Sequence, residues 1–300
     1  MSPTSSILPA AAARSPRGAR LRTVFTSKLM YALCVLFTLV ILGILVAVMG
    51  YLVSIGISSV SLDFFTKLPI AYGMEGYPGG MRNALLGTMM LILLASVVGI
   101  PLGILAGIYL SEYSANSYFG SAVRFIADVL TGVPSIVVGI LGYELVVVPI
   151  GNYNGYAGAL ALAFIMIPIV ARTTEEMLRL VPHSYREASI ALGATKARTI
   201  WKVVLPAATG SVITGIMLAI ARVAGETAPL LFTALGSRLV TWNPMQPFPS
   251  LTKQIFDYAS GPLVEQRNQA WAGILVLVVL IFVLNLAVRF FTRNIRTAAN

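Results

Sequence analysis

Two oppositely charged residues, Arg222 and Glu226, lie four positions apart in an otherwise apolar stretch of the sequence. If that stretch is one helix, side chains at this spacing share a face. A charge inside a membrane is costly and usually faces a cavity or a partner, and a guanidinium donates paired hydrogen bonds to oxyanions. The pair therefore predicts a contact with a passing oxyanion. The alternative is a purely structural Arg222–Glu226 pair that locks two helices together.

Arg172 is a second candidate for the same path, because it follows Pro168 at the end of another apolar segment. If the helix continues through Thr173 to Leu180, the guanidinium lies just inside the lining of the path. If it does not, Arg172 is a snorkelling residue that anchors the helix at the membrane surface. The sequence leaves both interpretations open.

Thr131 and Ser135 flank Pro134 in a third apolar segment. Proline lacks an N–H group, which frees the carbonyl four residues back and favours a kink. Freed backbone often lines a cavity in membrane helices, so Thr131 and Ser135 are predicted to line the path, with a kink of no further role as the alternative. Arg124 and Asp128 precede this kink at the spacing of an ion pair within one helix.

A polar stretch between two apolar segments carries a spaced pattern of residues: Glu187, Ala188, Ser189, Gly193, Leu205 and Pro206. The first part favours a helix that ends at Gly193, and a second polar helix is expected from about Lys196 to Val204, stopped by Pro206. Two short helices at a turn are compact enough to fit a groove and transmit rigid-body motion. An amphipathic connector lying at the interface is the alternative.

The elements that must position these residues are membrane helices. Hydrophobic residues make up 57% of the chain, charged residues only 11%, and the mean hydropathy is +0.85. Apolar runs of about 18 or more residues recur along the chain, and each is long enough to cross the bilayer as a helix. Helices are expected because backbone polar groups must be satisfied within each segment. We therefore expect an all-α polytopic bundle with six transmembrane helices. They cover about Leu29–Val53, Ala84–Tyr109, Ala122–Val148, Gly155–Ala171, Gly210–Leu235 and Ala270–Phe291.

Basic residues indicate the orientation of the bundle. With the amino terminus inside, the inner segments hold fourteen Lys and Arg residues and the outer segments five, so both termini are predicted to be cytoplasmic. Residues 1–28 form a basic tail expected to be disordered. Residues 29–296 form the membrane domain, which includes a cytoplasmic loop at 173–206. A short outer helix is expected from Leu251 to Tyr258, and Gly99, Gly103 and Gly107 predict close helix packing.

Several classes of function are excluded. The chain has one cysteine and one histidine, so no metal site is predicted. It lacks the Gly-x-x-x-x-Gly-Lys-Ser/Thr loop and the Gly-x-Ser-x-Gly and His-Glu-x-x-His motifs, so we assign it no catalytic residues and no cofactor. The net charge of +10 follows from membrane topology, and we expect no nucleic-acid partner.

The spaced polar pattern resembles the EAA loop of ABC importer permeases, with Ser189 in place of the second alanine and Val203 in place of isoleucine. More narrowly, the chain is similar to the PstA-type permeases of phosphate-specific importers. The strings that carry this resemblance are Ile100–Gly103, Tyr109–Tyr113, Thr131–Val137, Ile167–Glu176 and Gly225–Leu231. The resemblance implies the type I (MetI-like) fold in the bacterial cytoplasmic membrane, surrounded by lipid. It also implies a heterodimer with a sister permease, two ATPase subunits that use the ATP, an external phosphate-binding protein, and Arg172 and Arg222 on the anion path.

The predicted function is therefore that of a permease subunit that translocates inorganic phosphate by alternating access. A sulfate or molybdate permease is the close alternative. Sulfate carries no proton at pH 7, so the carboxylate of Glu226 favours phosphate. An ATP-independent channel or secondary carrier is a rival of another class, and it would sustain uptake without ATP. A membrane scaffold is a third alternative, disfavoured by a charge such as Arg222 inside the membrane.

Overall fold

The computed structural model describes residues 17–69, 79–114 and 117–297, and this part of the chain is helical, with one isolated β-bridge between Leu235 and Phe248. Its α-helices are α1 (Arg17–Ser59), α2 (Leu62–Thr66), α3 (Arg82–Ile108), α4 (Tyr118–Gly132), α5 (Ser135–Gly142), α6 (Val148–Ile150), α7 (Gly155–Arg179), α8 (His183–Ala191), α9 (Lys196–Thr199), α10 (Leu205–Ala224), α11 (Ala228–Thr233), α12 (Leu251–Ala259) and α13 (Val264–Thr297). Among the same described residues are three π-helical segments: Tyr109–Tyr113, which continues α3, and Tyr143–Val147 and Ile200–Val204, which each link two α-helices. The chain divides into two compact units, the first ending at Val53 and the second beginning at Ser54.

Five of the described helices are long and apolar enough to cross a membrane: Phe25–Ser59, Arg82–Tyr113, Gly155–Arg179, Lys196–Ala224 and Val264–Ala287. A sixth crossing arises if the bent pair Tyr118–Gly132 and Ser135–Ile150 is one span. The all-α polytopic fold is thus confirmed, and the count of six holds on that condition.

The third predicted span is not one continuous helix. The helices on either side of Val133 and Pro134 meet at 101°, and Val133 itself is extended, with φ −66° and ψ 130°. A residue before proline is pushed out of the helical region by the proline ring, and the missing N–H removes a helical hydrogen bond. Pro134 therefore breaks the span predicted from Ala122 to Val148 instead of only kinking it.

The fifth span begins and ends earlier than predicted. The helix runs from Lys196 to Ala224, whereas the sequence suggested about Gly210–Leu235. Pro206 was expected to stop the preceding helix, but it lies in the first turn of α10, directly after a π turn in which Leu205 N donates to Ile200 O. The first turn of a helix tolerates proline because its N–H groups need no intrahelical partner.

The first helix also extends beyond its predicted start. It begins at Arg17, so residues 17–28 are helical, although the whole tail was expected to be disordered. Once the long apolar helix exists, adding turns at its end avoids the unfavourable nucleation step. Residues 1–16, the remainder of that tail, lie outside the described residues.

The core of the second unit is built on close contact between α3 and α7. A methyl group added at Gly103 would lie 2.6 Å from Val170 Cβ, and one at Gly107 would lie 2.6 Å from Thr174 Cβ. The small residues thus let the two helices approach closely, as the spacing of the glycines predicted. Helix α10 packs on the other side of the same core through Ala219 and Val223.

The segment between α11 and α13 is anchored to α3 by hydrogen bonds. Thr88 accepts from Leu251 N at 2.7 Å, and Asn83 Nδ2 donates to Ser237 O at 2.6 Å. The short helix predicted over Leu251–Tyr258 is present as α12.

Candidate functional site

The polar loop folds into two short helices, α8 and α9, joined at Gly193. We call residues 183–199 the elbow. Gly193 has φ +84°, which is the left-handed region that glycine adopts without steric cost. Its N–H donates to Ile190 O at 2.9 Å, and Ala194 N donates to Ser189 O at 3.1 Å. These two bonds close the end of α8 as a Schellman motif, so the predicted glycine break is confirmed.

One side-chain hydrogen bond connects the two arms of the elbow, and another caps its second arm. Ser189 Oγ lies 2.9 Å from Thr199 Oγ1, and Thr195 accepts from Arg198 N at 3.3 Å to cap α9. Ser189 stands where the resembled pattern has alanine, and the serine adds a bond between the helices that alanine would lack.

Much of the surface of the elbow is exposed. Helix α8 contributes no buried residue. Glu187 and Ala188 are exposed, and Leu192 is 90% exposed. Leu205 and Pro206 belong to α10 instead, so they mark the base of the elbow. A rigid turn with an exposed apolar tip is suited to docking into a groove.

Arg186 anchors the elbow to the π turn at the end of α3. Its guanidinium forms two bonds to the Glu112 carboxylate, at 2.6 and 3.1 Å, and donates to the carbonyls of Val181 and Leu178 at 2.7 and 2.9 Å. Both charged side chains are largely buried. The sequence analysis missed this pair, because the two residues are 74 positions apart and no local periodicity relates them.

Arg222 lies in the last turn of α10, and Glu226 lies beyond the end of that helix. The predicted common helix face is therefore wrong. Pro229 cannot donate to the carbonyl of Gly225, so the helix ends before it and restarts as α11. The two residues still lie close, with Arg222 Nη2 3.8 Å from Glu226 Oε1. Thr252 donates to Glu226 O at 2.8 Å and fixes the break.

The two charges differ in exposure. The Arg222 side chain is 53% exposed within this chain, and that of Glu226 is 13% exposed. Thr214 is exposed two turns earlier, whereas Gly215 is buried against Thr173, where a methyl group would lie 2.6 Å from its hydroxyl. One side of α10 thus packs on α7, and the side with Thr214 and Arg222 is open.

Arg172 lies in a network of ion pairs instead of standing alone. Its Nη1 donates to Glu175 Oε2 at 3.1 Å, and its Nε lies 3.0 Å from Asp128 Oδ1. Glu175 also accepts from Arg124 Nε and Arg179 Nη2, both at 2.6 Å. Helix α7 does continue to Arg179, as one interpretation required. The predicted Arg124–Asp128 pair is wrong, because each residue finds a partner on α7 instead.

Thr131 and Ser135 lie on either side of the 101° bend. Thr131 is exposed and its hydroxyl donates to Asp128 O at 2.7 Å, while Ser135 begins α5 and is partly buried. In the part of the chain that the structure describes, no hydrogen bond or ion pair connects Arg222 to the Arg172 network. Arg222 lies on α10 and Arg172 lies on α7, and these two helices pack at Gly215 and Thr173. Arg222 lies about 10 Å beyond Gly215 along α10.

Comparisons with known proteins agree with this architecture. Residues 99–297 match the family described as binding-protein-dependent transport system inner membrane component. The phosphate transport system permease protein PstA of Yersinia pestis is 47% identical over 234 residues, covering 78% of this chain and 79% of that protein. PstA of Haemophilus influenzae is 40% identical over 268 residues, covering 89% and 94%.

A solved structure supports the fold independently. The inward-facing MetNI methionine ABC transporter is similar at a TM-score of 0.58 and 22% identity, covering 72% of this chain and 94% of that chain. The likeness bears on the arrangement of the helices alone, and it confirms the permease fold that the motifs implied.

Proposed function

Because the chain belongs to the family of binding-protein-dependent transport system inner membrane components, we propose that it is the permease subunit of an ATP-driven importer of inorganic phosphate. The named relatives with 40–47% identity are phosphate permeases, and they support this substrate. The chain itself carries out transport, and hydrolysis of ATP is the task of partner subunits.

The observation that carries the proposal is a single continuous helix with the two functional features at its ends. The membrane helix Lys196–Ala224 begins in the elbow and carries Arg222 in its last turn. Its length is about 1.5 Å per residue, enough to cross the hydrocarbon core. A displacement of the elbow would therefore be transmitted along this helix to the Arg222 guanidinium.

The exposed side of α10 supports a path that this chain forms together with a sister permease. Arg222 and Thr214 are exposed there within this chain, and a charge facing lipid would be costly. A second permease that covers this side would leave the guanidinium facing an enclosed, hydrated route. There it would hold the oxyanion through paired hydrogen bonds.

The transport cycle then follows from the two ends of the helix. An external phosphate-binding protein delivers the anion on the side opposite the elbow. Two ATPase subunits bind on the cytoplasmic side, one to the elbow of each permease. Both termini of this chain also lie on that side. Closure of the ATPase pair on ATP tilts the helices and exposes the path to alternate sides of the membrane.

A sulfate or molybdate permease is the closest alternative, and an ATP-independent channel or carrier is the more distant one. Glu226, 13% exposed beside Arg222, favours phosphate, since a protonated phosphate can donate a hydrogen bond to the carboxylate. Fully ionised sulfate has no such donor and would be repelled.

Uptake of labelled phosphate into cells that carry wild type, Arg222→Ala or Glu187→Lys tests the proposal. Both variants are expected to lose uptake, and only Glu187→Lys is expected to reduce recovery of the ATPase subunits with the permease. Arg267→Ala, which removes an exposed arginine outside both features, is the control. Normal uptake by Arg222→Ala, or uptake in the absence of ATP, would contradict the proposal.

A further inference from the structure

Arg172 is held between two carboxylates of very different character. Glu175 is 1% exposed and accepts a hydrogen bond from Arg172 Nη1 at 3.1 Å. Asp128 is 55% exposed and lies 3.0 Å from Arg172 Nε. Glu175 is on the same helix as Arg172, whereas Asp128 is on α4, just before the 101° bend. One partner is therefore enclosed by protein, and the other is open to the surroundings of the single chain.

Glu175 cannot leave this arrangement easily. It accepts hydrogen bonds from Arg124 and Arg179 at 2.6 Å as well as from Arg172, and a buried charge that loses its partners is strongly destabilising. The contact between Asp128 and Arg172 is of the exposed kind, which contributes at most about 1 kcal/mol. An incoming anion would thus displace Asp128 and leave Glu175 in place.

The network also has an excess of positive charge. Three arginines, 124, 172 and 179, face two carboxylates, Glu175 and Asp128. When Asp128 moves away, the local imbalance increases to two positive charges. The vacated side of Arg172 then presents N–H donors that match the oxygens of an oxyanion.

We propose that Asp128 is a specificity-determining residue, a tethered competitor that occupies Arg172 until a multiply charged oxyanion displaces it and that excludes monovalent anions. This inference rests on the proposed function, and it adds Arg172, a candidate from the sequence, to the path of the transported anion. Asp128 acts through Arg172 and need not touch the anion itself.

The selectivity follows from charge and tethering. A monovalent anion such as chloride brings the same single charge to Arg172 as Asp128 already supplies, and it must also lose the translational freedom that the tethered carboxylate has lost already. A phosphate dianion brings twice the charge, and Coulomb attraction to the guanidinium rises in proportion. The Asp128 carboxylate therefore raises the interaction energy that an anion needs in order to bind Arg172, and a monovalent ion does not supply that energy.

The test is ATP-driven phosphate uptake by the complete transporter in proteoliposomes, with external chloride exchanged stepwise for gluconate at constant ionic strength. At a phosphate concentration well below the one that half-saturates uptake, the chloride concentration that halves uptake is expected to be about fivefold lower for Asp128→Asn than for wild type, the factor to which an exposed ion pair of about 1 kcal/mol corresponds. Asp128→Glu keeps the charge and is expected to remain resistant to chloride.

Asp257→Asn is the matched control, since Asp257 is another exposed aspartate, paired with Lys253 at 2.5 Å on α12. It is expected to respond to chloride as wild type does. Should Asp128→Asn fail to assemble, Asp128→Ala is measured in the same way.

The outcomes separate the two proposals. Identical chloride curves for wild type and an assembled Asp128 variant without the carboxylate would overturn the inference and leave phosphate import intact. Absence of ATP-driven phosphate uptake by the wild-type transporter would overturn the proposed function itself.

Discussion

The guanidinium of Arg186 and the carboxylate of Glu112 form a two-point ion pair, with contacts of 2.6 and 3.1 Å. This pair fastens α8 to the π turn that ends the membrane helix Arg82–Tyr113. The exposed fractions of the two side chains are 15% and 7%, so water screens the contact little. Two further bonds from Arg186 to main-chain carbonyls hold the guanidinium in place. The elbow is thus connected to the membrane helices by this ion pair as well as by the chain that joins it to α7 and α10.

Glu112→Gln is expected to uncouple ATP hydrolysis from transport. The substitution leaves Arg186 largely buried without its counter-charge, and removing one partner of such a pair costs about 3–5 kcal/mol. The measurement is the number of ATP molecules hydrolysed per phosphate transported in proteoliposomes, which we expect to rise. Lower stability alone would reduce both rates together and leave the ratio unchanged.

Glu176→Gln is the control for this prediction, because Glu176 is exposed on α7. It should leave the ratio at the wild-type value. An unchanged ratio in Glu112→Gln, at normal amounts of assembled transporter, would show that the Arg186–Glu112 pair serves stability only.

The three glycines of α3 are expected to differ in their tolerance of alanine. Gly107→Ala would place Cβ 2.7 Å from the backbone oxygen of Ala171, which cannot move without shifting α7. The nearest neighbours of Cβ in Gly99→Ala would be atoms of the flexible Met166 side chain, at 3.0 Å or more. Overpacking typically costs about 1–3 kcal/mol, so Gly107→Ala should fall at the upper end and Gly99→Ala at or below the lower end.

Thermal unfolding of the purified variants measures this ranking. In Gly103→Ala, Cβ would meet Val170 Cβ at 2.6 Å, so its loss of stability is expected to equal that of Gly107→Ala or to lie between those of the other two variants. Equal losses in all three variants would mean that α3 and α7 adjust freely to one another.

Gly193→Ala is expected to weaken recovery of the ATPase subunits. An alanine held at φ +84° is strained by about 1–2 kcal/mol, and relief of the strain would open the turn between α8 and α9. Gly193→Asn should be milder, since asparagine accepts the left-handed region more readily. Co-purification of the ATPase subunits with each variant is the measurement.

Gly43→Ala is the control, because a methyl group there would have no atom of the described residues within 4 Å. If Gly193→Ala retained the ATPase subunits as well as Gly43→Ala does, the rigid turn would not be required for docking.

Local signals in the sequence predicted the parts of the molecule that depend on neighbouring residues. Apolar runs indicated the membrane helices, the glycine at 193 indicated the end of α8, and the spacing of Gly99, Gly103 and Gly107 indicated close packing. Each of these depends on helical periodicity or on the conformational freedom of glycine.

The partners of the charged residues could not be predicted in the same way. Spacing allowed Arg124 to pair with Asp128, yet Arg124 bonds to Glu175, which is 51 positions away. Which carboxylate an arginine reaches depends on how two helices pack, and a single sequence does not contain that arrangement. Pro206 was misplaced for a related reason, because proline is compatible both with the end of one helix and with the first turn of the next.

The charge of Glu226 is expected to matter for phosphate. Its carboxylate is 13% exposed and lies 3.8 Å from Arg222 Nη2, so it both orients the guanidinium and offers an acceptor to a protonated phosphate. Glu226→Gln keeps the shape of the side chain and removes the charge. We expect it to lower ATP-driven phosphate uptake by about tenfold, the effect of a contact worth about 1.4 kcal/mol.

Arg222→Lys is informative beside Glu226→Gln, because lysine keeps the charge but cannot donate the paired, planar hydrogen bonds of arginine. Glu265→Gln, an exposed glutamate in the first turn of α13, is the matched control and should transport normally. If Glu226→Gln transported phosphate as wild type does while Arg222→Lys did not, the geometry of the guanidinium would be required and the charge of its neighbour would not.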